Sequence, residues 1–186
     1  MLNDFLAYDR EYHATETVMR MHAVKRWHMI DTTRVQTLAE HSANVALLAM
    51  LIAKTAPIEW FDTYVVVAAA ALVHDIPETF TGDIPSHTKR HLDDIKLGQL
   101  EREVTPSVFD IAFNDHTRRL IKLCDIADGI RFIRLHGVDL TAAHARVGLE
   151  RQFNGHFIEA SVDMEWPDHL FDHVRNNLMF YAYETT

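Results

Sequence analysis

The chain holds one His-Asp dipeptide, His74-Asp75, directly after its most apolar run, Tyr64 to Val73. About one such pair arises by chance in a chain of this composition, so its setting matters more than its presence. Pro77 follows two residues later, where a proline marks a helix boundary or distortion. An imidazole and a carboxylate are thereby expected at a partly buried helix end, and a buried carboxylate without a partner is costly. The plain reading supplies a mutual hydrogen bond or an arginine; the sharper one supplies a metal ion.

Two further residues favour the metal. On a helix from Glu40, residues Val45, Leu48 and Ile52 share the face of His41, so this histidine heads a buried stripe. Asp125 has Ile121 and Phe132 on its own face of a later helix, company in which a carboxylate is rarely left alone. His41, His74, Asp75 and Asp125 then form a mixed nitrogen and oxygen set that suits Zn, Co, Mn, Fe or Mg without choosing among them. Glu78 lies one helical turn past His74, and Gly82 permits a tight turn that aims Asp83 back. Two carboxylates beside a metal site make an acid/base pair, one for water and one for a leaving oxygen. Taken alone, Thr81-Gly82-Asp83 reads as a solvated polar turn.

These groups need helices to position them. Phe5 to Ala23, Glu40 to Lys54, Asp62 to Ile76, Thr117 to Leu135, Leu140 to Phe157 and Pro167 to Tyr183 have helical spacing without Gly/Pro punctuation. Val65-Val66-Val67 favours a strand locally, but the four alanines after it tip that run to helix. An all-α bundle forming a single domain over residues 1–186 is expected, since no repeat, low-complexity tract or linker divides the chain. The 186 residues are 48% hydrophobic and 24% charged, a globular composition. Acidic residues outnumber basic ones 27 to 18, for a net charge of −9, which argues against a nucleic-acid polymer or an anionic membrane as partner. The apolar runs Val45 to Ala53 and Tyr64 to Val73 are too short to span a bilayer. The lone Cys124 excludes an intramolecular disulfide, fits a reducing compartment and reads as a small buried residue. With no basic-then-apolar start at Met1 to Phe5, a cytoplasmic protein is expected.

Arg26-Trp27, Ala39-Glu40-His41-Ser42, His74-Asp75 with Glu78, Thr81-Gly82-Asp83-Ile84-Pro85, Lys89, and Lys122 with Asp125 together resemble the HD-domain phosphohydrolases. Within them the set is similar to the 5′-deoxynucleotidases and the phage deoxynucleoside triphosphohydrolases, including those that act on dATP. The likeness spans roughly residues 20–135. It implies an all-helical HD domain in which His41, His74, Asp75 and Asp125 hold one divalent ion, Zn, Co, Mn or Mg, with a second ion on the substrate phosphates. It also implies Glu78 and Asp83 as the catalytic acid/base pair, Arg26 and Lys89 on phosphate oxygens, and Trp27 packed on the sugar where a 2′-hydroxyl would sit. A small-molecule deoxynucleotide substrate, a homo-oligomer and, for a phage protein, the host cytoplasm follow by the same resemblance. From the residues alone, Trp27 reads as core packing and Arg26 and Lys89 as solvated charges.

Pro77 departs from the small residue usual at that position in the bacterial nucleotidases. The short Asp75 to Asp125 segment matches the compact phage triphosphohydrolases, which favours deoxynucleoside and triphosphate as products, dATP being the preferred substrate. Arg34, Arg90 and Lys96 are the additional cations expected for a triphosphate. The alternatives are a 5′-deoxynucleotidase releasing phosphate from monophosphates and a non-catalytic helical binding or sensor module; the pair Glu78 and Asp83 speaks against the latter. His169 and His173, spaced i, i+4, read as a surface or interface feature, and residues 136–186 carry no motif.

Overall fold

The computed structural model describes residues 14–57, 59–89, 91–92 and 94–184, and these are mostly helical. Residues 14–20 are helical and lead into a two-stranded antiparallel ladder, β1 (Lys25–Arg26) with β2 (Gln36–Thr37), in register Lys25 opposite Thr37 and Arg26 opposite Gln36. Then come α1 (Leu38–Thr55), α2 (Tyr64–Val73), the single turns α3 (Glu78–Thr81) and α4 (Ser86–Lys89), and α5 (Asp94–Val104). A 3-10 turn (Ser107–Phe109) precedes three long helices, α6 (Asp115–His136), α7 (Leu140–Val162) and α8 (Asp168–Tyr183).

Local chemistry sets the helix starts. The side chains of Thr37, Asn114 and Asp139 accept from the N–H groups of Glu40, Thr117 and Ala142, capping α1, α6 and α7. Each cap satisfies a donor that the helix itself leaves unpaired, a contribution of about 1 kcal/mol. The valine-rich run does form α2: Val67, Ala70 and Ala71 are buried in the seam with α1, where small side chains let the backbones approach. Central to the bundle, α6 packs against α1, α7 and α8 and buries Leu120, Leu123, Ile126 and Ile130 with Val45, Ile52, Leu170, Val174 and Leu178.

Three features lie outside the helical expectations. The β1–β2 ladder is too short for any alternation to reveal, and α5 escaped because its apolar stripe of Leu97, Leu100 and Val104 is short and flanked by Gly98 and several charged residues. The stretch Asp62 to Ile76 stops being regular helix at Val73, since Pro77 lacks the N–H that would continue it. Of the first expected helix, residues 5–13 lie outside the described residues. Among the described residues, no helix is long and apolar enough to cross a membrane.

Candidate metal centre and substrate cleft

α1 contributes His41, the end of α2 contributes His74 and Asp75, and α6 contributes Asp125. One ligand atom from each of the four lies within 4.8 Å of every other. His41 Nε2 is 3.2 Å from Asp125 Oδ1 and 3.5 Å from Asp75 Oδ2, and His74 Nε2 is 3.2 Å from Asp75 Oδ2. Both imidazoles are anchored through the opposite nitrogen: His41 Nδ1 donates to Asp128 Oδ2 at 2.7 Å, and His74 Nδ1 to the Ala71 carbonyl at 2.7 Å. Both Nε2 atoms are buried with no hydrogen-bond partner. Two buried imidazole nitrogens converging with two carboxylates are the donor set of a divalent ion, so the residues present fit one. Against the upward push of burial, Lys122 and His41 hold Asp125 well below the usual carboxylate range. Burial and Arg26 oppose charge on His41, but Asp125 and Asp128 outweigh them and raise it to about 9.

Asp128 went unnoticed in the sequence reading. Its carboxylate accepts from Gln36 Nε2 (2.7 Å) and Asn44 Nδ2 (3.0 Å) as well as from His41. The available signal was its position three residues past Asp125 on the same helix.

Beside the cluster, Arg26 Nη1 lies 3.0 Å from Asp75 Oδ2 and 3.7 Å from Glu78 Oε2, with Nη2 3.8 Å from Asp125 Oδ1. Pro77 opens the turn α3, which turns Glu78 inward, 5% exposed and 3.0 Å from Lys89 Nζ. Burial, and next the charge of Asp75, pushes Glu78 up to about 7 despite Arg26 and Lys89. Gly82 adopts φ +74°, turning the chain so that Asp83 Oδ2 accepts from the Trp27 N–H at 3.2 Å. Trp27 is itself left-handed at φ +63°. Its Nε1 donates to Gln36 Oε1 at 2.8 Å, and its ring stacks on Phe132 with centroids 6.3 Å apart. Gly129 makes room for that ring, since a Cβ there would stand 3.3 Å from it.

A cavity of about 470 Å³ opens on this side of the cluster, within the range of small-molecule sites. Its polar end holds Arg26, Glu78, Asp83, Lys89 and Lys122; its other wall is Trp27, Met29, Ile30 and, from α7, Thr141, His144, Ala145, Gly148, Leu149 and Gln152. The sequence reading gave α7 no part in the site. Four carboxylates and three cations line the cavity, so a bound divalent ion turns its charge positive. A second cavity, about 900 Å³, reaches His74, Asp75 and Asp125 past Arg102, Arg118 and Lys122, with Glu101 and Asp110 also on its wall. Of the cations expected to serve a triphosphate, Arg34 pairs with Glu40 (2.6 and 2.8 Å), Lys96 lines an apolar groove with Phe80 and Leu100, and Arg90 lies outside the described residues. His173 Nε2 lies 3.1 Å from Thr55 Oγ1 at the end of α1, and Cys124 is buried.

The family described as 5′-deoxynucleotidase YfbR-like matches residues 13–128. The dATP triphosphohydrolase of Cyanophage S-2L is 30% identical over 161 residues, covering 84% of this chain and 91% of that one. The dATP triphosphohydrolase of Salmonella phage PMBT28 is 32% identical over 149 residues, covering 76% and 77%. The 5′-deoxynucleotidase YfbR of Escherichia coli O1:K1 / APEC is 23% identical over 136 residues, covering 62% and 68%. The solved structure of the Cyanophage S-2L HD phosphohydrolase DatZ, bound to dA and one catalytic Zn2+ ion, aligns with a TM-score of 0.77 at 25% identity, covering 92% of this chain and 97% of that one. Because the matched segment contains the whole His/Asp cluster with Arg26, Glu78 and Lys89, the chain belongs to the YfbR-like family of HD phosphohydrolases.

Proposed function

We propose that the chain hydrolyses 2′-deoxynucleoside triphosphates, dATP foremost, to deoxynucleoside and triphosphate, with His41, His74, Asp75 and Asp125 holding one Zn2+ ion. The observation that carries this reading is the convergence of two partnerless imidazole Nε2 atoms on two carboxylates, beside a cavity that holds the buried carboxyl of Glu78. The phage relatives are named dATP triphosphohydrolases, and the DatZ structure contains dA and Zn2+.

A divalent ion in this site supplies Lewis acidity, drawing charge from phosphoryl oxygens and making water more acidic. The chain's own residues do the rest. Arg26 and Lys89 hold phosphate oxygens, and Trp27, fixed by Gln36 and Phe132, presents a rigid face to the sugar with no room for a 2′-hydroxyl. Asp83 takes a proton from the attacking water as its oxygen bonds to the α-phosphorus. The bond from phosphorus to the 5′-oxygen breaks, and Glu78 gives that oxygen a proton. Arg102, Arg118 and Lys122 receive the outer phosphates in the second cavity; a second ion carried in on the phosphates would offset their remaining charge. The same reading takes residues 1–186 as one domain, working as a homo-oligomer in the cytoplasm, that of the host for a phage protein, with no nucleic-acid polymer as partner.

The family description and the Escherichia coli relative favour a second reading, release of phosphate from deoxynucleoside monophosphates. One assay separates them: protein loaded with Zn, Co, Mn or Mg is given deoxy- and ribonucleoside mono- and triphosphates, and products are resolved by chromatography. Triphosphate from dATP supports the first reading and orthophosphate from dAMP the second. No cleavage under any metal overturns both.

A further inference from the structure

The C-terminal helix reaches the cluster through Asp128. Tyr181 on α8 donates its hydroxyl to Asp128 Oδ1 at 2.7 Å. The other oxygen of the same carboxylate accepts from His41 Nδ1 at 2.7 Å. Asp128 is 2% exposed and His41 0%, so the bonds lie where solvent competes little and each fixes the geometry of the next. As a metal ligand an imidazole is neutral and carries one N–H; with that N–H committed at Nδ1, Nε2 is the nitrogen left to bind an ion between it and the carboxylates of Asp75 and Asp125.

Tyr181 is in turn locked to α6. The Arg131 guanidinium lies 5.0 Å from the centre of its ring, and Arg131 Nη1 donates to the carbonyls of Tyr181 (2.7 Å) and Glu184 (3.1 Å). Arg134 Nε donates to the Ala182 carbonyl at 3.2 Å. These cations satisfy the terminal carbonyls of α8 and leave the Tyr181 hydroxyl little freedom to leave Asp128. The family match spans residues 13–128, so Asp128 lies at its last position and Tyr181 beyond it.

We propose that Tyr181 is a positioning residue for the metal centre: its hydroxyl holds Asp128 in the orientation that directs His41 Nε2 at the ion. The proposal rests on the reading of His41, His74, Asp75 and Asp125 as the ligands. Tyr181→Phe removes the hydroxyl and keeps the ring over Arg131. Zinc affinity of the full chain, measured by competition with a chromophoric chelator, is expected to fall about tenfold, as for other groups that orient a ligand. At saturating zinc, kcat is expected to stay within about twofold of wild type, because Tyr181 does not line the substrate cavity. Tyr183→Phe, on the same helix as Tyr181, removes a hydroxyl bonded to Glu150 of α7 and is expected to leave zinc affinity unchanged. Asp128→Asn, which keeps the side-chain shape, is expected to weaken zinc binding at least as much as Tyr181→Phe. Unchanged affinity in Tyr181→Phe, or equal losses in Tyr181→Phe and Tyr183→Phe, overturns the proposal. Wild-type protein that binds no zinc overturns the ligand reading itself and the proposal with it.

Discussion

The backbone N–H of Trp27 donates to the carboxylate of Asp83 at 3.2 Å, tying the β1–β2 loop to the turn after α3 across 56 residues of sequence. A bulky residue at positive φ costs about 1–3 kcal/mol and persists only when its surroundings hold it there. Asp83 therefore helps to hold Trp27 in place, and in the proposed mechanism it also takes a proton from water. Asp83→Asn retains an acceptor for the Trp27 N–H but cannot take a proton. It is expected to lower kcat for dATP by about 10²–10⁴-fold while keeping the preference for dATP over ATP. Asp83→Ala is expected to lose both rate and preference. Comparing kcat/KM for the two nucleotides checks this, and a wild-type rate in Asp83→Asn would remove Asp83 from the chemistry.

Glu78→Gln is expected to bind metal like wild type and to lose about 10²–10⁴-fold in kcat. With Glu78 as the general acid, the rate of the metal-loaded wild type should fall as pH rises through the range where this carboxyl loses its proton, a limb that Glu78→Gln lacks. In metal-free protein the folded state keeps this proton more tightly than the unfolded chain, whose carboxyl has an ordinary value near 4.5. The stabilisation is complete below that value and is lost as pH rises through about 7. Chemical denaturation of the metal-free chain across that range reads the loss directly.

Asp125→Ala deletes an oxygen donor and leaves His41 Nε2 without its nearest carboxylate, 3.2 Å away. Bound metal, measured by elemental analysis after dialysis, and activity should both be lost. Chelator treatment of wild type should abolish activity, and adding back a divalent ion should restore it. Full activity in Asp125→Ala would refute its assignment as a ligand.

Arg118 lines the second cavity, on the far side of the cluster from Trp27. Arg118→Ala is expected to raise KM for dATP about tenfold, one charge-assisted hydrogen bond, and to leave dAMP hydrolysis unchanged where it is measurable. Equal effects on both nucleotides would mean that the outer phosphates do not enter this cavity.

Gly137 closes α6 where a Cβ would stand 2.6 Å from Ala142 Cβ and 2.7 Å from the Ile133 carbonyl. The conflict is with backbone and a buried methyl, so neither neighbour can swing away. Gly137→Ala is expected to destabilise the protein by about 1–3 kcal/mol, read as a lowered Tm, with metal stoichiometry unchanged in the folded protein.

Much of the helical framework and the metal cluster was legible because both are written in local spacing. A 3.6-residue period places His41 above Val45 and Leu48, and Asp125 above Ile121, whatever the rest of the chain does. A polar group on such a face needs a partner, and that need pointed to a shared ligand set before any partner was visible. The same logic missed Asp128, whose partners Gln36, His41 and Tyr181 lie 92, 87 and 53 residues away. It also named Arg34, which pairs with Glu40 of α1, and passed over Arg102 and Arg118, which line the second cavity. The sequence by itself determined which faces are buried and which ionisable groups must be satisfied there. Only the packing of α6 against α1, α7 and α8 decided which group satisfies which, because a hydrogen bond between helices depends on their crossing and register, and neither is encoded in the period of a single helix.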